Sequence, residues 1–358
     1  MKVLTVIGTR PEIIRLSRII PILDQNCQHV LMHTGQNYIK SLNQIFFEQL
    51  GIRVPDYMFE CKAETLMGQV SQILIDVEKV ILTEQPNRIL LLGDTNSALA
   101  AIVAKRMRIP VFHMEAGNRC YDDNVPEEVN RRLIDHCSDT LLPYTERSRA
   151  NLIKEGIASN RIFVTGNPIA EVLQYYEYQI RQSNILEQLN IIPKNYFLVT
   201  LHRAENVDDV RRLESFFEAF IRLKQRYKIP IIFSVHPRTR SQIEKNQIII
   251  NWDGLISLEP IGLFDFVELE KNAACVLSDS GTVQEECCIL KVPSVTLRDV
   301  TERPETVETG SNVVTGCNPN DILRSVDLVL NETCEWSPPS EYLKKNVSQT
   351  VAKIVLGK

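Results

Sequence analysis

"VIGTRPEIIRLS", residues 6–17, contains the change of period from which the rest of the chain is read. Val3 to Ile7 is a short apolar run rich in β-branched residues, which predicts a buried strand. Gly8 permits a tight turn. Pro11 suits the first position of a helix, where its missing N–H costs nothing. Ile13, Ile14, Leu16, Ile19 and Ile20 then recur at helical spacing. Arg10 is thereby placed at a strand-to-helix turn, beside backbone N–H groups and the positive end of a helix, surroundings that favour an anion. Arg15 adds a second cation about one turn on. The same residues also read as the solvated start of a basic helix.

The strand–turn–helix rhythm continues through the chain, which predicts an α/β protein of doubly wound parallel sheets. In the first half the expected strands are 3–7, 29–33, 88–92, 111–114, 140–142 and 162–164. "TGNP" (165–168) then carries turn residues, and a largely polar helix is expected to about Asn190. The second half repeats the pattern at 196–200, 230–234, 255–258, 274–277, 294–297 and 312–314. The boundary falls near residues 168–175. The expected domains are 1–170 and 171–358, Rossmann-like and facing across a cleft, with the last helix packing back on the first. Ligands of such sheets bind outside the carboxyl ends of the strands.

Bulk properties narrow the function. A chain of 358 residues has room for two ordinary domains. Its net charge of −5 gives no support for nucleic-acid binding. No run is long enough to span a membrane, and the N-terminal apolar stretch is too short for a signal peptide. Nine cysteines, two of them adjacent and none in a CxxC pair, speak against a zinc site or a disulfide framework. A reduced, cytoplasmic setting fits.

Five expected strands deliver polar residues at one edge: Asp94, Glu115, His202, His236, and the group Asp279, Ser280 and Gly281. Each alone could be a cap or turn residue; together they suggest a cleft site. In "LSDSGTVQEE" (277–286), Ser280, Gly281 and Thr282 could present N–H groups to a diphosphate, and Glu286 could meet ribose hydroxyls. Asp-Ser-Gly before a helix is also a plain N-cap. Arg303 adds a positive group or is a surface arginine. Asp94, Glu115 and Glu127 supply carboxylates; clustered in a cleft, one can keep its proton and act as acid while another acts as base. Glu128, in the first turn of the same expected helix, reads as a dipole partner. Arginines, a helix start and carboxylates suit cleavage of a sugar–phosphate bond. The absence of a Walker loop and of GxGxxG disfavours a kinase or dehydrogenase.

Over nearly its whole length the sequence resembles the non-hydrolysing UDP-N-acetylglucosamine 2-epimerase family. The matching stretches are "GTRPE", "GDTNS", "HMEAGNR", "PEEVNRR", "HRAEN", "SVHPRT", "DSGTVQEE" and "RDVTERPE", in the family's order. The resemblance implies a GT-B arrangement, a homodimer, and a UDP-sugar substrate held mainly by the second domain. It implies that Arg10 and His202 contact the diphosphate and that His202 takes part in catalysis. Ser280, Gly281 and Thr282 form the phosphate turn, Glu286 meets ribose, Arg303 lies on the nucleotide side, and Phe266 lies near the uracil. Asp94, Glu115 and Glu127 match the acid/base carboxylates. The implied reaction is elimination of UDP to a 2-acetamidoglucal and its return, converting UDP-N-acetylglucosamine to UDP-N-acetylmannosamine for surface polysaccharide synthesis. The resemblance further implies no metal and no cofactor.

Departures are informative. Arg15 stands where the best-known members carry lysine, Thr282 replaces a second glycine, and Ile261 stands where many have glutamine. Ala204 replaces an arginine that some members use in an activating UDP-sugar site, so that site is expected to be weakened or missing. "HTGQNY", "FFEQLGI" and "HMEAGNRC" resemble the branch forming UDP-N-acetyl-L-fucosamine from a 6-deoxy talose precursor. A GT-B glycosyltransferase, a hydrolysing 2-epimerase (which carries "GTRAD") and a non-catalytic UDP-sugar sensor are the other readings.

Overall fold

The computed structural model describes residues 1–36, 40–61, 63, 65–248, 250, 253–331 and 335–357; Asn37 and Tyr38 of "HTGQNY" lie outside them. The chain divides into two units, Met1–Gln174 with Ser340–Lys358, and Tyr175–Pro339.

The first unit holds strands β1 (Lys2–Ile7), β2 (Gln28–His33), β3 (Tyr57–Met58), β4 (Arg88–Leu92), β5 (Val111–Met114) and β6 (Thr140–Leu142). They pair in parallel in the order β3-β2-β1-β4-β5-β6. Apart from edge residues the strands are buried, because crossover helices cover both faces of a parallel sheet. One face carries Leu4, Val6, Ile89 and Leu91 against Ile73, Val77, Val80 and Ala101 of the covering helices.

The second unit repeats the design with β7 (Phe197–Leu201), β8 (Ile231–Val235), β9 (Leu255–Leu258), β10 (Cys275–Ser278), β11 (Ser294–Thr296) and β12 (Asn312–Val314). Read from β9, its order is β9-β8-β7-β10-β11-β12, the same doubly wound order as the first sheet. Period-two alternation divides its strands between two cores. Phe197, Val199 and Leu201 face Phe216, Phe217 and Phe220 of the helix Val210–Tyr227, while Leu198 and Ile232 face Leu269, Val283 and Cys287.

Three expectations change. Residues 162–164 form no strand; Ile162 makes a single parallel bridge to Leu141. Tyr57–Met58 pairs with β2 at the sheet edge, a strand too short to leave a periodic pattern. The long helix expected before Asn190 is three short ones, Ile169–Tyr175, Glu177–Arg181 and Ile185–Gln188. Ser183 sits at the last break, where its hydroxyl bonds Asp265 at 2.5 Å and accepts from the Ile185 N–H at 3.3 Å.

The final segment belongs to the first unit. Val347, Val351 and Val355 of the helix Val347–Leu356 are buried. Ser348 donates N–H and O–H to Glu171 at 3.0 and 3.1 Å, Lys344 reaches the Val164 carbonyl at 2.8 Å, and Arg88 holds the Val355 carbonyl.

Candidate active site

In each sheet the strand order reverses between two neighbouring strands, β1 and β4 in the first and β7 and β10 in the second. Crevices at such points take ligands. A buried carboxylate ties the two loops together at each of them.

In the first unit that carboxylate is Glu12, from the opening motif. Its Oε2 accepts the Gly8 and Thr9 N–H groups at 2.6 and 2.7 Å and the Thr9 hydroxyl at 3.1 Å, and its Oε1 accepts the Thr95 hydroxyl at 2.6 Å. Glu12 therefore itself supplies the acceptor at the start of the helix Arg10–Leu16, where the sequence reading left a place for one from outside. Burial pushes its carboxyl up to about 7, against the pull of those four donors. Gly8 is required by space as well as by a turn: an added Cβ would lie 2.0 Å from the Ser97 hydroxyl. Arg10 opens the helix with its guanidinium 5.9 Å from the Phe46 ring centre, and burial lowers its pKa.

Arg15 is buried and donates to Glu115, with its guanidinium 5.6 Å from the Tyr144 ring centre. The second expected substrate-side cation is thus the partner of an expected acid/base carboxylate. Glu115 follows β5 with φ +64, the left-handed region, which is costly for a side-chain-bearing residue. Asp94 follows β4, the neighbouring strand, and Gly93 N–H bonds the Met114 carbonyl at 3.1 Å. Arg131 Nε donates to Asp94 at 2.8 Å while its Nη1 donates to Glu128 at 2.5 Å. Glu128 also accepts the Cys120 and Tyr121 N–H groups at 3.0 and 3.1 Å, so it pins the loop after β5. Glu127, one residue earlier in the helix Pro126–Cys137, is half-buried.

In the second unit Asp279 makes the tie. It accepts the His202 N–H at 3.0 Å, the Arg203 N–H at 2.9 Å and Asn206 Nδ2 at 3.2 Å, and lies 3.0 Å from His202 Nδ1. Burial alone would raise its carboxyl; the His202 charge and these donors hold it down, at about 2. His202 is a third exposed, with the His236 ring centre 5.5 Å away. Ser280 stands at the N-cap of the helix Gly281–Leu290, with its hydroxyl 3.0 Å from that of Thr282 and its N–H on Ser278 Oγ at 3.0 Å. A Cβ on Gly281 would fall 2.4 Å from Glu302 Oε1.

Other expected site residues have protein partners. Arg303 Nε lies 2.6 Å from Glu285. Glu286 faces Glu270; burial and the Glu286 charge raise the Glu270 carboxyl well above the carboxylate range. Phe266, one turn before Glu270, packs against the core around Leu198 and Val283. Within its own unit each group comes together as follows: Asp94 and Glu115 at adjacent strand ends, with Arg15 of the first helix on Glu115, and His202, Ser280, Gly281 and Thr282 around Asp279.

Sequence reasoning missed Arg131, Glu302 and Glu270 and treated Glu12 only as part of a motif. The spacing Glu128–Arg131, one helical turn, could have revealed the first. Nothing local marks Glu270, whose partner is 16 positions away.

Two doubly wound Rossmann-like sheets of one order, each with charged side chains at its reversal point, define a protein of the two-domain GT-B class. The UDP-N-acetylglucosamine 2-epimerase family model matches residues 23–356. The UDP-N-acetylglucosamine 2-epimerase of Methanocaldococcus jannaschii is 44% identical over 350 residues, 95% of each chain. The crystal structure of the enzyme from that organism, in complex with UDP-GlcNAc and UDP, superposes with a TM-score of 0.93 at 41% identity, covering 99% of both chains. The UDP-2,3-diacetamido-2,3-dideoxy-D-glucuronate 2-epimerase of Pseudomonas aeruginosa is 36% identical over 340 residues, 94% of each chain. The chain belongs to the UDP-N-acetylglucosamine 2-epimerase family, an isomerase family. Among the described residues no helix is long and apolar enough to cross a membrane.

Proposed function

We propose that the chain inverts C2 of a UDP-linked 2-acetamido sugar, converting UDP-N-acetylglucosamine to UDP-N-acetylmannosamine without hydrolysis. The observation that carries this reading is the pair of arginine-bound carboxylates, Glu115 with Arg15 and Asp94 with Arg131, on neighbouring strand ends. A proton on C2 of an intact hexose is a poor acid. Breaking the C1–O bond sends its electron pair to UDP and leaves C1 electron-poor, which makes C2 easier to deprotonate. A carboxylate takes that proton and C1=C2 forms, giving the 2-acetamidoglucal. Re-protonation from the other face and re-formation of C1–O give the epimer.

Asp94, Glu115 and Glu127 are the acid/base groups in this reading. Arg10, Arg303, His202 and the Ser280–Gly281–Thr282 turn stabilise charge on the departing diphosphate. Glu286 meets ribose and Phe266 the uracil. No metal or cofactor takes part. The reaction belongs to cytoplasmic synthesis of surface polysaccharide precursors. The partner is a second copy of the chain: Met67, Ile75 and Leu82, at spacings of eight and seven, leave an apolar stripe exposed along the helix Leu66–Glu84. Leu82→Glu should convert a dimer to monomer in sedimentation; a wild-type monomer refutes this partner.

Incubation with UDP-sugars in D₂O, read by NMR, tests the chemistry. Deuterium at C2 with the nucleotide still attached is expected; free monosaccharide, or turnover only with an acceptor, would overturn it. Asp94→Asn and Glu115→Gln should each slow exchange on the order of 10²–10⁴-fold while UDP affinity holds. A panel including the 6-deoxy talose derivative separates the two sugar branches. With Ala204 in place of arginine, the rate curve should be hyperbolic, without activation by added UDP-N-acetylglucosamine.

A further inference from the structure

Behind the two carboxylates lies a buried chain of polar groups that this chemistry does not use. His113, within β5, and Asp135, in the helix Pro126–Cys137, are both essentially inaccessible. His113 Nε2 lies 2.8 Å from the Gly93 carbonyl oxygen, and Nδ1 lies 2.8 Å from Asp135 Oδ1. A carbonyl only accepts, so Nε2 donates. The other Asp135 oxygen accepts the Gly117 N–H at 3.1 Å and lies 2.8 Å from Arg119 Nη2. Arg119 also grips Glu155, at 2.8 and 2.6 Å. Burial alone would raise Asp135, but His113 and Arg119 hold it below the usual carboxylate range. Nδ1 faces Asp135, and that contact fixes the orientation of the ring.

The ends of this chain are what matter. Gly93 immediately precedes Asp94, and Gly117 follows Glu115 by two residues. One imidazole and one carboxylate thus fix the main chain beside both candidate acid/base groups, on two adjacent strands.

We propose that His113, oriented by Asp135, is a positioning residue of the reaction: His113 on the Gly93 carbonyl and Asp135 on the Gly117 amide together hold Asp94 and Glu115 at a set separation. The inference rests on the roles given to those two carboxylates above. Its physical basis is that proton transfer falls steeply with misplacement of the groups, on the order of 10²-fold for an ångström.

The test compares His113→Ala, His113→Gln and Asp135→Asn with wild type for deuterium incorporation at C2, KM, UDP affinity and unfolding temperature. The Gln amide nitrogen can reach the Gly93 carbonyl as Nε2 does. His113→Ala should lower kcat on the order of 10²-fold with little change in KM or UDP affinity, and His113→Gln should recover about tenfold of that loss. If Ala fails to fold, Asn, whose amide is too short to reach the carbonyl, takes its place in the comparison. Equal kcat in the Gln and Ala or Asn variants, or a loss seen only in unfolding temperature, overturns the proposal. Asp94→Asn and Glu115→Gln run alongside. If they exchange at the wild-type rate, the carboxylate roles fail and the proposal with them. If they lose exchange while the His113 variants keep it, the positioning role alone fails.

Discussion

At Glu12 four donors converge on one carboxylate that water does not reach. Removing the acceptor in Glu12→Ala leaves the Gly8, Thr9 and Thr95 donors without it, and should cost about 1–3 kcal/mol in chemical denaturation. The pH dependence has a definite sign. The folded-state value of about 7 lies above the ordinary carboxylate value of 4.5, so this group's contribution to stability is full below the lower value and is lost as pH rises through the upper. Across that window wild type should lose about 3 kcal/mol that Glu12→Gln, with no charge to bury, keeps. Asp279 behaves in the opposite sense. Its folded value of about 2 lies below the ordinary aspartate value of 3.8, so its contribution is present above the latter and lost as pH falls to the former. That contribution is about 2 kcal/mol, and Asp279→Asn should remove the acid-side dependence while destabilising the His202 loop. Equal pH profiles for variant and wild type would refute either statement.

At the scale of elements, the helix Gly281–Leu290 shows why one glycine is needed. The side chain of Glu302 occupies the space where a Cβ would stand, and its other oxygen receives Arg298 Nη1 at 2.6 Å in a buried pair. Gly281→Ala must push Glu302 off that arginine, costing about 1–3 kcal/mol and weakening UDP binding by calorimetry; unchanged affinity and unfolding would refute it. The glycine was legible in "DSGTVQEE", but its reason was not, because Glu302 arrives from a loop 21 residues on. The same holds for Arg15. Its position, one turn into a helix, was legible, while its partner Glu115 lies 100 residues away. Strand runs were read well where six crossover-covered strands impose apolar burial. They failed at Tyr57–Met58 and at 162–164, where pairing involves two residues or one bridge.

At the scale of the molecule, the repeated strand order makes each unit complete in its own sheet, yet the last helix is borrowed by the first. A chain ending at Pro339 should lose the burial of Val347, Val351 and Val355, about 5 kcal/mol at typical transfer values, and with it the Ser348–Glu171 bonds. Hydrogen exchange should then accelerate in β1–β6 while β7–β12 stay protected; uniform protection would refute this.

The sequence by itself determined the alternation of strand and helix, the rough division in two, and the motifs that mark the family, because these depend on period and on residues a few positions apart. Tertiary structure alone decided which charges meet. Glu12 caps its own helix, Arg15 serves Glu115, Arg131 serves Asp94, and Glu286 faces Glu270, since each pairing depends on which strand ends and helix starts the fold brings together. Buried charges must find partners wherever the chain brings them, and local sequence carries no record of that distance.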